Sequence, residues 1–148
     1  MRNTNSFSAD DVTIPQYSWT YQDDTENGKA RIIVTSKDAP TAVKLWQAAN
    51  TSHRDFRLET LGAAWTSTEV KSQCEVDCEA SANPEQCVCE PGAQNQVFVG
   101  EVDVPETDGG WRGFFVEMTY PGPDPNLPDV FYTFTTPVRV IPDVYPSN

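Results

Sequence analysis

Four cysteines, Cys74, Cys78, Cys87 and Cys89, fall within sixteen residues at the spacing C-x3-C-x8-C-x-C. Thiols grouped this closely can pair as disulfides, hold a four-thiolate zinc ion or cycle between redox states. Four cysteines allow three pairings, and spacing alone does not choose among them. A nested pairing, Cys74 with Cys89 and Cys78 with Cys87, would staple an antiparallel ribbon, and closing loops of this size is worth about 3 kcal/mol each. C-x3-C and C-x-C are poor spacings for zinc. The neighbouring Glu75, Asp77, Glu79 and Glu90 disfavour thiolates while still attracting a cation. The same acidic setting raises thiol pKa and speaks against a redox-active pair. Two disulfides confined to the 74–89 loop are therefore expected, with no resident metal and no cofactor.

Ser52, His53 and Asp55 carry the residue types of a hydrolytic triad within four positions. A triad needs side chains converging from separate elements, whereas adjacent strand residues point to opposite faces. No catalytic residue is assigned there, and the chain is not expected to be an enzyme. Arg54, Asp55 and Arg57 read instead as an alternating charge set, suited to a bidentate pair at a strand's entry or across an interface. Asp23, Asp24, Glu26 and Asn27 crowd one turn with oxygen ligands of the kind calcium takes. The EF-hand loop signature is absent, and acidic Asn-Gly turns are common without metal. Glu117 lies in an apolar run, where an unpaired buried charge is costly, so it is expected either at the solvent side or paired, with Arg112 or Arg139 as the natural partner.

That apolar run, GGWRGFFVEMTYP (109–121), is the stretch around which the other elements are expected to pack. At period two, Trp111 and Phe115 fall on one face, and Phe114, Val116 and Met118 on the other. A strand with large side chains on both faces must be covered on both. Trp46, Trp111 and Phe115 are the expected structural core. Gly109-Gly110 allows a sharp entry, and Pro121 cannot continue a central ladder.

The remaining segments also read as short strands between turn signals. QYSWTYQ (16–22) and KARIIVTS (29–36) form a hairpin closed by DDTENG (23–28), since Asn-Gly favours the positive φ of tight turns. AVKLWQAAN (42–50), FRLETL (56–61) and QVFVGEVDV (96–104) alternate as strands do, and LGAAWTSTEV (61–70) does so from Thr66 onward. PGPDPNLPD (121–129) is a stiff, exposed connection. VFYTFTTPVRVIP (130–142) alternates but carries Pro137, which predicts an edge position or a change of partner. The pattern predicts an all-β fold, an immunoglobulin-like or fibronectin type III-like antiparallel sandwich of about seven to eight strands. Residues 1–14 read as a flexible arm, 15–146 as one domain, and 72–95 as an acidic, Cys-rich insertion in it.

A 148-residue chain that is 38% hydrophobic can bury one real core. Its net charge is −12, and residues 69–108 alone supply −9 of it. Such a surface repels nucleic-acid phosphate and anionic lipid, and no apolar run is long enough to insert in a membrane, so neither partner is expected.

Three blocks of the sequence, LWQAANTSHRDFRLE (45–59), GGWRGFFVEMTYP (109–121) and FTTPVRVIPDVYP (134–146), together resemble the C-terminal β-sandwich of the PhoPQ-activated pathogenicity-related proteins. That group is similar to the secreted autocrine proliferation repressors of amoebae. The resemblance runs through most of residues 14–146 in the family's order. It implies a domain that normally follows an α/β-hydrolase-like domain, which would hold any nucleophile. These residues contain no G-x-S-x-G elbow, so no catalytic residue carries over. The Cys-rich excursion departs from the family pattern. The implied role is a non-catalytic accessory or interaction domain that packs on a hydrolase-like domain or another protein, in a secreted or extracytoplasmic setting. The alternative is a stand-alone secreted module whose acidic Cys-rich loop binds a protein, a glycan or a cation.

Overall fold

The computed structural model describes residues 14–89, 95–106 and 109–143. Among the described residues, eight strands form two antiparallel sheets that face each other without closing into a barrel. Strands β1 (Tyr17–Asp24), β2 (Lys29–Ser36) and β5 (Gln96–Asp103) make a three-stranded sheet in the order β1-β2-β5. The second sheet runs β4 (Thr66–Glu69), β3 (Ala42–Asn50), β6 (Trp111–Pro121), β7 (Phe131–Thr135), with β8 (Arg139–Ile141) also on β6. The expected sandwich is thus the observed architecture, with β6 as its longest and most connected strand.

The hairpin β1–β2 pairs without interruption from Tyr17↔Ser36 to Asp24↔Lys29, and Gly28 takes the positive φ of 65° that its turn requires. Just before β6, Gly110 has φ 85° and its missing side chain leaves room for the Asn50–Thr51 backbone, so the sharp entry belongs to glycine. The residues around Pro137 behave as the missing N–H demands. β7 pairs with Glu117–Pro121 and β8 with Arg112–Phe114, both along one edge of β6. Between these registers β6 has two residues and its neighbour three, which is a bulge. Thr136 bridges the break: its N–H donates to Val116 O (2.9 Å), and its Oγ1 accepts from Val116 N (3.0 Å). The strand lies at the edge, as expected, and keeps its partner.

The core lies between the sheets. Ala30, Ile32 and Val34 of β2 and Phe98 and Val102 of β5 meet Val43 and Leu45 of β3 and Phe114, Val116, Met118 and Tyr120 of β6. The expectation that Trp46, Trp111 and Phe115 make the core is corrected here. All three are only half-buried and lie on the outer face of the second sheet. That face is covered not by a sheet but by the chain between β3 and β4. Phe115 meets the rings of Trp46 (6.3 Å) and Trp65 (5.3 Å), and Phe56 meets Trp65 (6.0 Å). Phe56 and Trp65 close over Gly113, where a Cβ would sit 3.2 Å from both rings.

This covering role explains a second departure. FRLETL is not a strand. Its carbonyl at Phe56 accepts from Trp65 Nε1 (3.2 Å) rather than from a ladder, and Leu58–Leu61 wind into a single helical turn, α1, ended at Gly62. Leu58, which alternation would bury, is 73% exposed. Glu117 is likewise not held by either expected arginine. Lys44 stands opposite it in the ladder, Arg139 grips Asp23, and Arg112 donates to Gln47 Oε1 and to Asp103 O.

Candidate functional site

The cysteine-bearing segment folds as a small helix with a returning strand-like arm, not as an antiparallel ribbon. Helix α2 spans Gln73–Glu79 and starts in a capping box. Ser72 Oγ accepts from Glu75 N (3.2 Å), and Glu75 Oε2 accepts from Ser72 N (3.3 Å), which satisfies two of the donors a helix start leaves open. Ser72 is itself buried and forms a bridge to Phe98, so the cap also fastens α2 to the free edge of β5. Gln73 donates to Asp77 Oδ1 (3.0 Å), and Lys71 pairs with Glu79 (2.5 Å), which raises the Lys71 pKa through that hydrogen bond.

Cys74 and Cys78 stand one turn apart on one face of α2. A short 3-10 turn, Pro84–Gln86, sends the chain back along that face, with Cys87 in extended backbone. The bridges are Cys74–Cys89, with Cα atoms 6.0 Å apart, and Cys78–Cys87, at 5.4 Å. Both Cα separations suit disulfides. All four thiols are used, in the nested connectivity. The two bridges touch, with Cys78 Sγ 3.6 Å from Cys89 Sγ. Cys78 is buried under the helix and Cys87 is exposed. A groove of about 610 Å³ runs beside the bridges, between Asp77, Val88 and the start of β5 at Gln96. A second concavity is lined by Glu69, Lys71, Glu75, Glu79, Cys78, Cys87 and Cys89. The exposed carboxylates of Glu75, Asp77, Glu79 and Glu85 surround the module.

The other sites considered in the sequence are occupied by the protein's own groups. Ser52 and His53 sit on an exposed loop, and both of their backbone N–H groups donate to Asn50 Oδ1 (3.0 and 2.9 Å). The Asp55 carboxylate takes a bidentate contact from Arg57 (Nε 3.0 Å, Nη2 2.7 Å), plus the Arg57 backbone N–H (3.1 Å). It does not orient His53. The third member of the charge set, Arg54, reaches Asp143 beyond β8 (3.6 Å). In the acidic hairpin turn, Asp23 accepts both outer nitrogens of Arg139 at 2.7 Å, and Asp24 accepts from the Asn27 backbone (3.2 Å) and side chain (2.7 Å). These hydrogen bonds hold both carboxyls below their ordinary pKa.

Sequence reasoning passed over two working residues. Asn50 is buried and organises the 50–57 loop, donating through Nδ2 to Asp55 O (2.8 Å) while its Oδ1 takes the two backbone donors. It opens an Asn-Thr-Ser triplet, the form that accepts N-linked glycans, but its amide is already consumed. The second is Ser72, whose S-x-x-E spacing with Glu75 is a legible helix start.

Among the described residues, no helix is long and apolar enough to cross a membrane. No curated protein and no solved structure matches the chain. Residues 1–57, which include β1, β2, β3, the Asn50-centred loop and most of the first of the three blocks quoted above, match a family model; the other two blocks lie outside that stretch. Over residues 1–57 the chain matches the family model of the PhoPQ-activated pathogenicity-related protein, and it carries that likeness on an open, two-sheet antiparallel β fold.

Proposed function

We propose that the chain is a non-catalytic accessory or interaction domain, of the kind that packs against an α/β-hydrolase-like domain in proteins of the PhoPQ-activated pathogenicity-related group. The observation that carries this reading is the state of Ser52, His53 and Asp55. A nucleophile needs a base within hydrogen-bond reach and an orienting group behind that base. Here the loop is built from backbone-to-Asn50 bonds, and its carboxylate is closed by Arg57. The two disulfides support an extracytoplasmic setting, where such bonds persist. A panel of ester and peptide substrates tests the reading. No turnover is expected, and turnover that disappears in Ser52→Ala or His53→Ala overturns it. Binding is tested separately, by titrating the chain with an α/β-hydrolase-like domain of that protein group and following the heat released.

A second reading has its own observation. The Cys-rich module is held rigid by two bridges and a cap, and it presents four exposed carboxylates. A stand-alone secreted module that binds a basic protein, a glycan or a cation through that loop accounts for them. Charge reversal at Asp77 and Glu85, outside the capping box, separates the two readings: it abolishes binding in the second and leaves docking to a hydrolase-like domain intact in the first.

A further inference from the structure

We propose that the four sulfurs of the stapled module form a second site once both bridges are reduced: a four-thiolate site for one thiophilic divalent ion of the zinc class. The backbone already gathers three of the sulfurs, those of Cys74, Cys78 and Cys89. Cys74 and Cys78 are four residues apart on a helix, the spacing by which two side chains of one helical face reach a common metal. Cys87 and Cys89 are two residues apart, and Cys87 is in extended backbone, so the pair shares one side of its segment. The poor look of C-x3-C and C-x-C as zinc spacings comes from reading them as turns; on a helix and an extended arm they converge.

The distances agree with this placement. With Zn–S bonds of about 2.3 Å, a tetrahedral site sets its sulfurs about 3.8 Å apart. Cys78 Sγ and Cys89 Sγ, which are not bonded to each other, are at 3.6 Å. The sulfurs of Cys74, Cys78 and Cys89 all lie within 4.8 Å of one another, and Cys87 is bonded to Cys78. On reduction the two bonded pairs open toward that spacing, and Cys87, which lies outside the 4.8 Å group, swings in from its exposed position. The helix that carries Cys74 and Cys78 keeps its capping box and its bridge to Phe98, neither of which involves sulfur. The concavity lined by Glu69, Lys71, Glu75, Glu79 and three of the cysteines gives an ion a solvent route, and its three carboxylates outnumber the one ammonium, which is paired with Glu79.

The chemistry balances with a dithiol reductant. Two dithiols each pass two electrons and two protons to one bridge, leaving four cysteine thiols and two oxidised reductants. Binding one divalent ion then releases four protons, and the site carries a charge of −2. Because binding releases protons, uptake is favoured as pH rises.

The test uses the full chain, reduced with excess dithiol, desalted without oxygen and titrated with cobalt(II), then with zinc(II). One cobalt per chain is expected, with the intense visible bands of tetrahedral thiolate coordination, displaced by one zinc. The air-oxidised chain is expected to give neither. Cys87→Ser, at the exposed position, should weaken binding by about tenfold or more, since loss of a ligand costs at least what loss of an outer-shell partner does. Circular dichroism recorded on the same samples keeps the strand signal in view. The proposal is overturned by a reduced chain that takes up no cobalt, by the pale bands of octahedral coordination, by equal uptake in the oxidised chain, by Cys87→Ser binding like the parent, or by uptake that occurs only after the strand signal is lost.

Discussion

Removing a single oxygen from Tyr120 tests the account of the core most sharply. Tyr120 is 1% exposed, and its hydroxyl lies 2.8 Å from Ser36 Oγ, which is itself fully buried. Ser36 Oγ also lies 2.5 Å from Asp38 O. A carbonyl only accepts, so the Ser36 proton is committed to Asp38 and the Tyr120 proton goes to Ser36. Met118 Sδ, at 3.7 Å, is a weaker second acceptor. Tyr120→Phe leaves the ring against Tyr17 and Phe134 and opens no cavity larger than the lost atom. The cost is one neutral hydrogen bond, about 0.5–1.5 kcal/mol, plus part of the penalty for a buried acceptor left with one partner fewer. A loss of about 1–2 kcal/mol follows, which lowers Tm by roughly 3–6 °C in a chain of this size. Ser36→Ala should cost more, because Asp38 O is orphaned too, and the double variant should show coupling of about 0.5–1.5 kcal/mol. The pH dependence gives an independent arm. Burial pushes the Tyr120 pKa up from 10.0. The folded state therefore holds the phenolic proton more tightly than the unfolded chain does. That contribution is complete below pH 10 and is lost as pH rises through the folded pKa. Urea unfolding at pH 7 and across pH 9–11 should show the parent's advantage over Tyr120→Phe shrinking above pH 10. A loss under about 0.3 kcal/mol at neutral pH, with parallel curves in alkali, would refute the buried Ser36–Tyr120 link.

Three further outcomes follow from the same structure. Phe114→Ala, at a fully buried ring, should cost about 3–5 kcal/mol, and Trp111→Ala on the half-buried outer face clearly less; urea denaturation giving the reverse order would put the core on the wrong face of β6. Non-reduced peptide mapping should join Cys74 to Cys89 and Cys78 to Cys87, with the intact mass about 4 Da below the reduced one, and any other connectivity contradicts the geometry of α2. The Arg139 hydrogen bonds hold the Asp23 carboxyl below 3.8, so its contribution is present above that pH and is lost as pH falls through the folded pKa. Asp23→Asn should cost about 0.5–1 kcal/mol at neutral pH and flatten the acid limb below pH 3.8, and acid titrations that overlay the parent's would dismiss the pair as ornamental.

The strands were legible because alternation survives in them. KARIIVTS buries Ala30, Ile32, Val34 and Ser36 and leaves the residues between half-exposed, which is the period-two signal itself. On β6 the same signal names two faces and stays silent on which one meets the other sheet. Phe114 and Phe115 are equivalent to a counting rule, and the choice is made by what arrives from elsewhere: β2 and β5 over Phe114, the Phe56–Trp65 loop over Phe115. FRLETL misleads for the same reason. Its alternation is real, but Phe56 is drawn onto Gly113 and its carbonyl onto Trp65, so tertiary contact overrides the local pattern.

In the Cys-rich segment the local signal was present but quiet, and the return path that selects the pairing came from the structure. Seven residues with two cysteines and three acids look unlike a helix by composition. Even so, Ser72-x-x-Glu75 announces its start, and C-x3-C then places two sulfurs on one face. From those two facts the connectivity becomes a matter of direction. A chain that leaves the helix at Ala80 and turns back at Pro84–Gln86 must pass the near end of α2 before the far one. Cys87 therefore meets Cys78, and Cys89, two residues further on, meets Cys74. The same ordering brings Cys78 and Cys89 to 3.6 Å, so one backbone path serves both the observed bridges and the proposed four-sulfur site.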